Sequence, residues 1–143
     1  MPSSTQSYHT IFLDWNGTLS GAKFWWQLEA AGDPRFAAID AALFRTLRPL
    51  LKPWMRGAVR AEEVCAEIAG EAHLSPSEVL ETLEESCRSM PWGDDAVRAM
   101  IQELRQRGVR VCVATDNMDT FTRWSVPGLG LAAHFDALLS SAD

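Results

Sequence analysis

A short apolar run that stops dead at an acid constrains this chain most. Ile11-Phe12-Leu13 ends at Asp14, and Trp15-Asn16-Gly17-Thr18-Leu19 follows. An apolar run of this length bounded by Asn-Gly reads as a buried strand with an abrupt end. Asp14 then stands at the carboxyl end of a strand, where open α/β sheets bind their ligands. Gly17 reaches backbone angles closed to other residues, so that amides turn toward an anion beside the carboxylate. Thr18 adds a hydroxyl donor. A carboxylate among such donors suits attack on a phosphoryl group. The plainer reading is a strand-to-turn corner that Asp14 merely caps.

The next strand signal comes late. Val109-Arg110-Val111-Cys112-Val113-Ala114-Thr115 follows a helix that Asp94 and Asp95 start and Gly108 closes. Helix, glycine and β-branched strand in that order predict a crossover between parallel strands. Ala137-Leu138-Leu139-Ser140-Ser141 predicts a third strand. From 22 to 90 the apolar spacing is helical throughout. Phe24, Trp25 and Leu28 begin a short helix ended at Gly32-Asp33-Pro34. Phe36, Ile39, Leu43, Leu47 and Leu50 predict one continuous helix, and Val64, Cys65 and Ile68 a third. Ser75, Pro76 and Glu78 predict a capping box opening a fourth. The fold class is α/β: a three-layer, Rossmann-like parallel-sheet core of about three strands, from residues 1–21 and 91–143, with an α-helical cap inserted over 22–90. An uncovered edge beside strand one is a place for self-association.

A net charge of −6 and a pI near 5.0 argue against a nucleic-acid surface built on phosphate neutralisation. No run approaches the ~20 apolar residues of a membrane span, and Pro2 to Ser7 is too polar for a signal peptide. Cys65, Cys87 and Cys112 show no CxxC spacing and read as reduced, buried thiols of a cytoplasmic protein. His9, His73 and His134 lack metal-ligand spacing. Trp25, Trp26 and Trp54 are candidates to line a pocket, with core packing the ordinary alternative.

Asp14-Trp15-Asn16-Gly17-Thr18 resembles the first motif of the haloacid dehalogenase-like hydrolases, a strand followed by Asp-x-Asp-Gly-Thr. Val111-Cys112-Val113-Ala114-Thr115, with Asp116-Asn117 after it, resembles the second. Phe135 to Asp143 is similar to the segment such proteins carry before their third motif. The resemblance implies that Asp14 is a nucleophile forming an aspartyl-phosphate and that the Asp14 carboxylate and Asn16 carbonyl contribute to a Mg²⁺ site. It also implies that Thr115, Asp116 and Asn117 join Gly17 and Thr18 around the phosphoryl group of a small phosphorylated metabolite. One departure is Asn16, at the family's second, proton-shuttling Asp; losing such a group costs ~10²–10⁴-fold. The other is that the family's third-motif Lys or Arg and fourth-motif acids fall beyond Asp143, which predicts little turnover from this polypeptide. The alternatives are a non-catalytic phosphate-binding or regulatory module of the same fold and, less compatible with the large insert, a phospho-accepting receiver domain.

Overall fold

The computed structural model describes residues 7–143, so most of the polar lead-in lies outside the described residues. Three strands, β1 (Thr10–Leu13), β2 (Arg110–Thr115) and β3 (Ala137–Ser140), form one parallel sheet in the order β1-β2-β3. Leu13 pairs with Val113, and Thr115 with Ser140, so all three strands end on the same side. Asp136 fixes where β3 enters: its carboxylate accepts the Val111 N–H at 2.8 Å and Arg105 Nη2 at 3.2 Å.

Strand alternation sorts the side chains into two faces. Leu13, Val111, Val113 and Leu138 pack with Trp15, Trp92, Ile101, Phe121, Leu131 and Phe135 into one core. Helix α6 is the main cover of this face; in chain order the α-helices before β2 are α1 (Trp26–Ala30), α2 (Pro34–Ala41), α3 (Leu51–Met55), α4 (Ala61–Ala72), α5 (Pro76–Arg88) and α6 (Asp95–Gln106). Asp94 caps α6 as its sequence predicts, accepting the Val97 N–H at 2.8 Å. The opposite face presents Phe12 and Leu139, 60% and 52% exposed, with the exposed Ala114 between them. No helix among the described residues covers it.

The stretch between β1 and α6 is helical, with a second core of Trp25, Leu28, Ile39, Leu43, Trp54, Val64, Cys65, Ile68, Val79, Leu83 and Cys87. Trp124, from beyond β2, also belongs to this core. The two chain crossings between the cores run side by side: Ser20 Oγ donates to the Pro91 carbonyl at 2.6 Å, and the Gly93 N–H to the Leu19 carbonyl at 2.7 Å.

Two local expectations are corrected. The apolar series from Phe36 to Leu50 is no single helix: α2 passes into a wider turn at Ala42–Thr46 and a tighter one at Arg48–Leu50, where Pro49 removes a donor. The capping box at α5 does not form. Ser75 Oγ pairs with Ser77 Oγ at 2.9 Å, and Glu78 lies 3.9 Å from Arg35 on α2, a partner that local sequence does not reveal. At α4 the Glu63 carboxylate accepts the Arg60 N–H at 3.0 Å.

Candidate active site at the strand ends

Asp14 lies one residue past the last β1–β2 pair and Thr115 two past it, at the same end of the sheet. Asp14 is exposed; its Oδ1 accepts the Trp15 N–H at 2.7 Å, and its Oδ2 has no partner among the described residues. Trp15 anchors the loop. Its side chain is 1% exposed, with ring centroids 5.8 Å from Trp92 and 5.4 Å from Phe121. Its carbonyl accepts the N–H groups of Thr18, Leu19 and Ser20 at 3.3, 3.0 and 3.0 Å. The loop is therefore a tight knot around one carbonyl, and Gly17, at φ +74°, makes the reversal.

That knot changes what the loop offers a ligand. The Gly17 N–H is committed to the Ser20 carbonyl at 2.8 Å, and the Thr18 N–H faces inward to Trp15. Gly17 contributes backbone shape, and the exposed Thr18 its hydroxyl. Asn16 is exposed, and its carbonyl accepts no bond among the described residues.

Thr115 is the opposite of Asp14 in setting. It is buried, and its Oγ1 lacks a hydrogen-bond partner among the described residues. Buried hydroxyls without partners are uncommon and call for a reason. The following residues split: Asp116 is exposed, while Asn117 is 2% exposed, with its N–H donating to Ser141 Oγ at 3.1 Å and its Oδ1 accepting the Met118 N–H at 2.9 Å. Asn117 thus shapes the loop.

The donor set fits magnesium in a minimal way. Asp14 Oδ1, which keeps a lone pair beyond its bond from the Trp15 N–H, and the Asn16 carbonyl are two hard oxygens on exposed residues, and Mg²⁺ keeps several waters and draws other ligands from substrate phosphate. No group of three or more His, Cys, Asp or Glu among the described residues surrounds a common metal position.

Trp25 and Trp54 are core residues rather than pocket walls, and Trp26 is half-buried. Trp25 and Trp54 are 2% and 0% exposed; their indole N–H groups go to the Val79 carbonyl at 3.2 Å and Asp119 Oδ1 at 2.7 Å, and that of Trp26 goes to the Ser86 carbonyl at 3.1 Å. The thiols are free and buried, and burial pushes Cys65 and Cys87 up to about 12. Asp119, which the sequence did not single out, is the polar centre of the β2 loop. Its signal lay in position alone, four residues after a strand-end threonine.

No family model and no curated protein matches the chain. Solved structures do. A haloacid dehalogenase-family enzyme of Bacteroides thetaiotaomicron superposes with TM-score 0.68 at 10% identity, over 96% of this chain and 70% of its own. The same enzyme in complex with magnesium and inorganic phosphate gives 0.62 at 10% identity, over 95% and 70%. The L-2-haloacid dehalogenase of Xanthobacter autotrophicus with chloropropionic acid covalently bound gives 0.61 at 16% identity, over 94% and 57%. Another dehalogenase gives 0.61 at 16% identity, over 97% of this chain and 64% of its own. The chain thus spans about three fifths of the dehalogenases it superposes on. It has the haloacid dehalogenase-like fold, an α/β fold on a parallel sheet. No helix among the described residues is long and apolar enough to cross a membrane.

Proposed function

We propose that a chain with this fold works here as a hydrolase of small phosphorylated metabolites, with residues 22–90 acting as a helical cap over the site. Asp14 Oδ2 attacks phosphorus, the bond to the leaving-group oxygen breaks, and that oxygen takes its proton from solvent. Water then attacks the phosphorus of the acyl phosphate, releasing inorganic phosphate and returning Asp14 to a carboxylate. The observation that carries this reading is the Thr115 hydroxyl, buried without a partner among the described residues, at the same end of the sheet as Asp14. A phosphoryl oxygen brought to that hydroxyl completes its bonding, and a preorganised donor at developing charge is a principal source of phosphoryl-transfer catalysis. Mg²⁺ held by Asp14 and the Asn16 carbonyl would neutralise phosphoryl charge. Thr18 and Asp116 stand at the exposed rim, where Thr18 donates to the substrate. Asn16 donates a hydrogen bond to the leaving group but cannot carry a proton, so turnover is slow. Three unpaired thiols suit a reducing, cytoplasmic setting.

The Asn16 amide also favours a second reading. A halide leaves without protonation, so attack of Asp14 on carbon, with loss of halide and hydrolysis of the ester, has no need of an acid at position 16. The neighbour from X. autotrophicus is a haloacid dehalogenase.

The test is a comparison of wild type with Asp14→Asn on p-nitrophenyl phosphate with and without Mg²⁺, on 2-chloropropionate by halide release, and in binding of beryllofluoride. Mg²⁺- and Asp14-dependent phosphate release supports the first reading. Halide release without phosphate release replaces it with the second. Asp14-dependent beryllofluoride binding with no turnover leaves a phosphate-binding module. Beryllofluoride binding that ignores the substitution removes Asp14 from the role assigned.

A further inference from the structure

A loop acid four residues beyond a strand end is ordinarily solvated, yet Asp119 is 9% exposed. It accepts three bonds: Oδ1 from the Trp54 indole N–H at 2.7 Å, and Oδ2 from the Ala61 backbone N–H at 3.3 Å and Arg123 Nη1 at 2.6 Å. Trp54 and Ala61 belong to the helical stretch, and Ala61 is the first residue of α4. The Arg123 guanidinium continues to Glu62, with Nη2–Oε1 at 2.5 Å and Nη1–Oε2 at 3.1 Å. A carboxylate buried at this depth needs such partners, since removing one leaves a charge whose desolvation is not offset.

A second tie reaches the same loop. Ser141 Oγ donates to the Met55 carbonyl at 2.7 Å and accepts the Asn117 N–H at 3.1 Å. At Gly57 the approach is so close that a Cβ would collide with the Ala142 carbonyl oxygen. Both ties therefore converge on residues 117–119, immediately after the buried Thr115 hydroxyl.

We propose that Asp119 is a positioning residue that locks the loop holding Asn117, directly after the Thr115 strand end, against the helical stretch, so that the seating of that stretch sets the geometry of the strand-end site. The inference rests on the reading of Asp14 and Thr115 as a phosphoryl site. It differs from a merely structural role in one respect: occupancy of the site must be felt at Trp54, whose indole N–H ends on Asp119.

The experiment uses the full chain with Mg²⁺ and beryllofluoride as the probe. Affinity is measured for wild type, Asp119→Ala, Asp119→Asn and Asp14→Asn, and the indole N–H resonance of Trp54, assigned with Trp54→Phe, is followed by NMR. Beryllofluoride is expected to shift the Trp54 resonance in wild type. Asp119→Ala is expected to displace that resonance and weaken binding about ten- to a hundredfold, the range for groups that orient a binding residue from behind. Asp119→Asn retains the Oδ1 acceptor and is expected to restore most of both. Should Asp119→Ala fail to melt cooperatively, Trp54→Phe takes its place with a smaller expected loss of affinity. Wild-type affinity in a folded Asp119→Ala, or an unmoved Trp54 resonance on binding, overturns this inference alone. Absence of Asp14-dependent binding in the wild type overturns the phosphoryl reading and this inference with it.

Discussion

Replacing Thr115 by Val separates stability from ligand binding in one substitution. Valine matches threonine in shape and β-branching, so β2 and its pairing with Ser140 are kept. The change removes a hydroxyl whose oxygen is buried without a partner among the described residues. An unsatisfied buried polar group costs ~1–3 kcal/mol, so its removal is expected to stabilise the free protein by about 1 kcal/mol. For a chain of this size that corresponds to a melting temperature higher by about 3–5 °C. The same hydroxyl, bonded to a phosphoryl oxygen, is worth ~1.5–3 kcal/mol because its acceptor is charged. Beryllofluoride or phosphate binding is then expected to weaken by about ten- to a hundredfold. Differential scanning calorimetry and a binding titration read the two effects on one preparation. A Thr115→Val protein that is less stable by about 1 kcal/mol or more would show that the hydroxyl is already satisfied, and unchanged affinity would remove Thr115 from the site.

Other consequences follow from particular contacts. With Cys65 and Cys87 pushed up to about 12, chiefly by burial, little of either thiol is ionised near neutral pH; a thiol reagent is expected to react only on the timescale of unfolding, and prompt native-state labelling of either would refute their burial. Gly57 sits at φ +70° with the Ala142 carbonyl oxygen where a side-chain methyl would go, so Gly57→Ala should cost at least ~2 kcal/mol in a denaturant titration, while Gly21→Ala, with open space around it, should cost far less. Hydrogen bonding to Arg123 holds the Glu62 carboxyl down at about 2, from 4.5. A depressed folded value means stability that is fully present above the unfolded value near 4.5 and lost as pH falls through about 2. Glu62 is 46% exposed, so solvent screening limits the effect to about 1 kcal/mol or less, and Glu62→Gln should flatten that part of the acid-stability profile.

Legibility of the chain divides between contacts that are local and those that are not. The strand ends could be read because each is an apolar run stopped by polar groups, and Asp94 could be read because its partner, Val97, is three residues away. Ser75 carries the same local signal, yet Glu78 is drawn to Arg35, on a different helix far back in the chain. The tryptophans show the limit most clearly. Their spacing says only that they are large and near one another; what makes Trp25 and Trp54 core is that the fold buries them and brings their indole N–H groups acceptors, the Val79 carbonyl from α5 and Asp119 from the β2 loop. Asp119 was invisible for the same reason: Arg123 is a near neighbour in sequence, but Trp54 and Ala61 are donors that only the fold brings to it.

The pleat of the sheet bears on why the loops matter so much to the site. Leu13 and Val113 are paired and point into the covered face, so alternation sends Asp14 toward the open face and Thr115 back toward the covered one. Asp14 is accordingly exposed and Thr115 buried. A nucleophile and a donor on opposite faces of a sheet can share a ligand only beyond the strand ends, where the pleat no longer separates them. The knot around the Trp15 carbonyl turns the β1 loop at that point, and the ties from Asp119 and Ser141 fix the β2 loop beside it. Trp15, from the β1 loop, and Phe121, from the helical turn that follows the β2 loop, meet with ring centroids 5.4 Å apart. Loosening that contact should therefore separate Asp14 from Thr115 without touching either, and Phe121→Ala, expected to cost ~3–5 kcal/mol in stability, should lower beryllofluoride affinity in whatever fraction remains folded. Wild-type affinity in that folded fraction would mean that the two strand ends are held in place by the sheet alone.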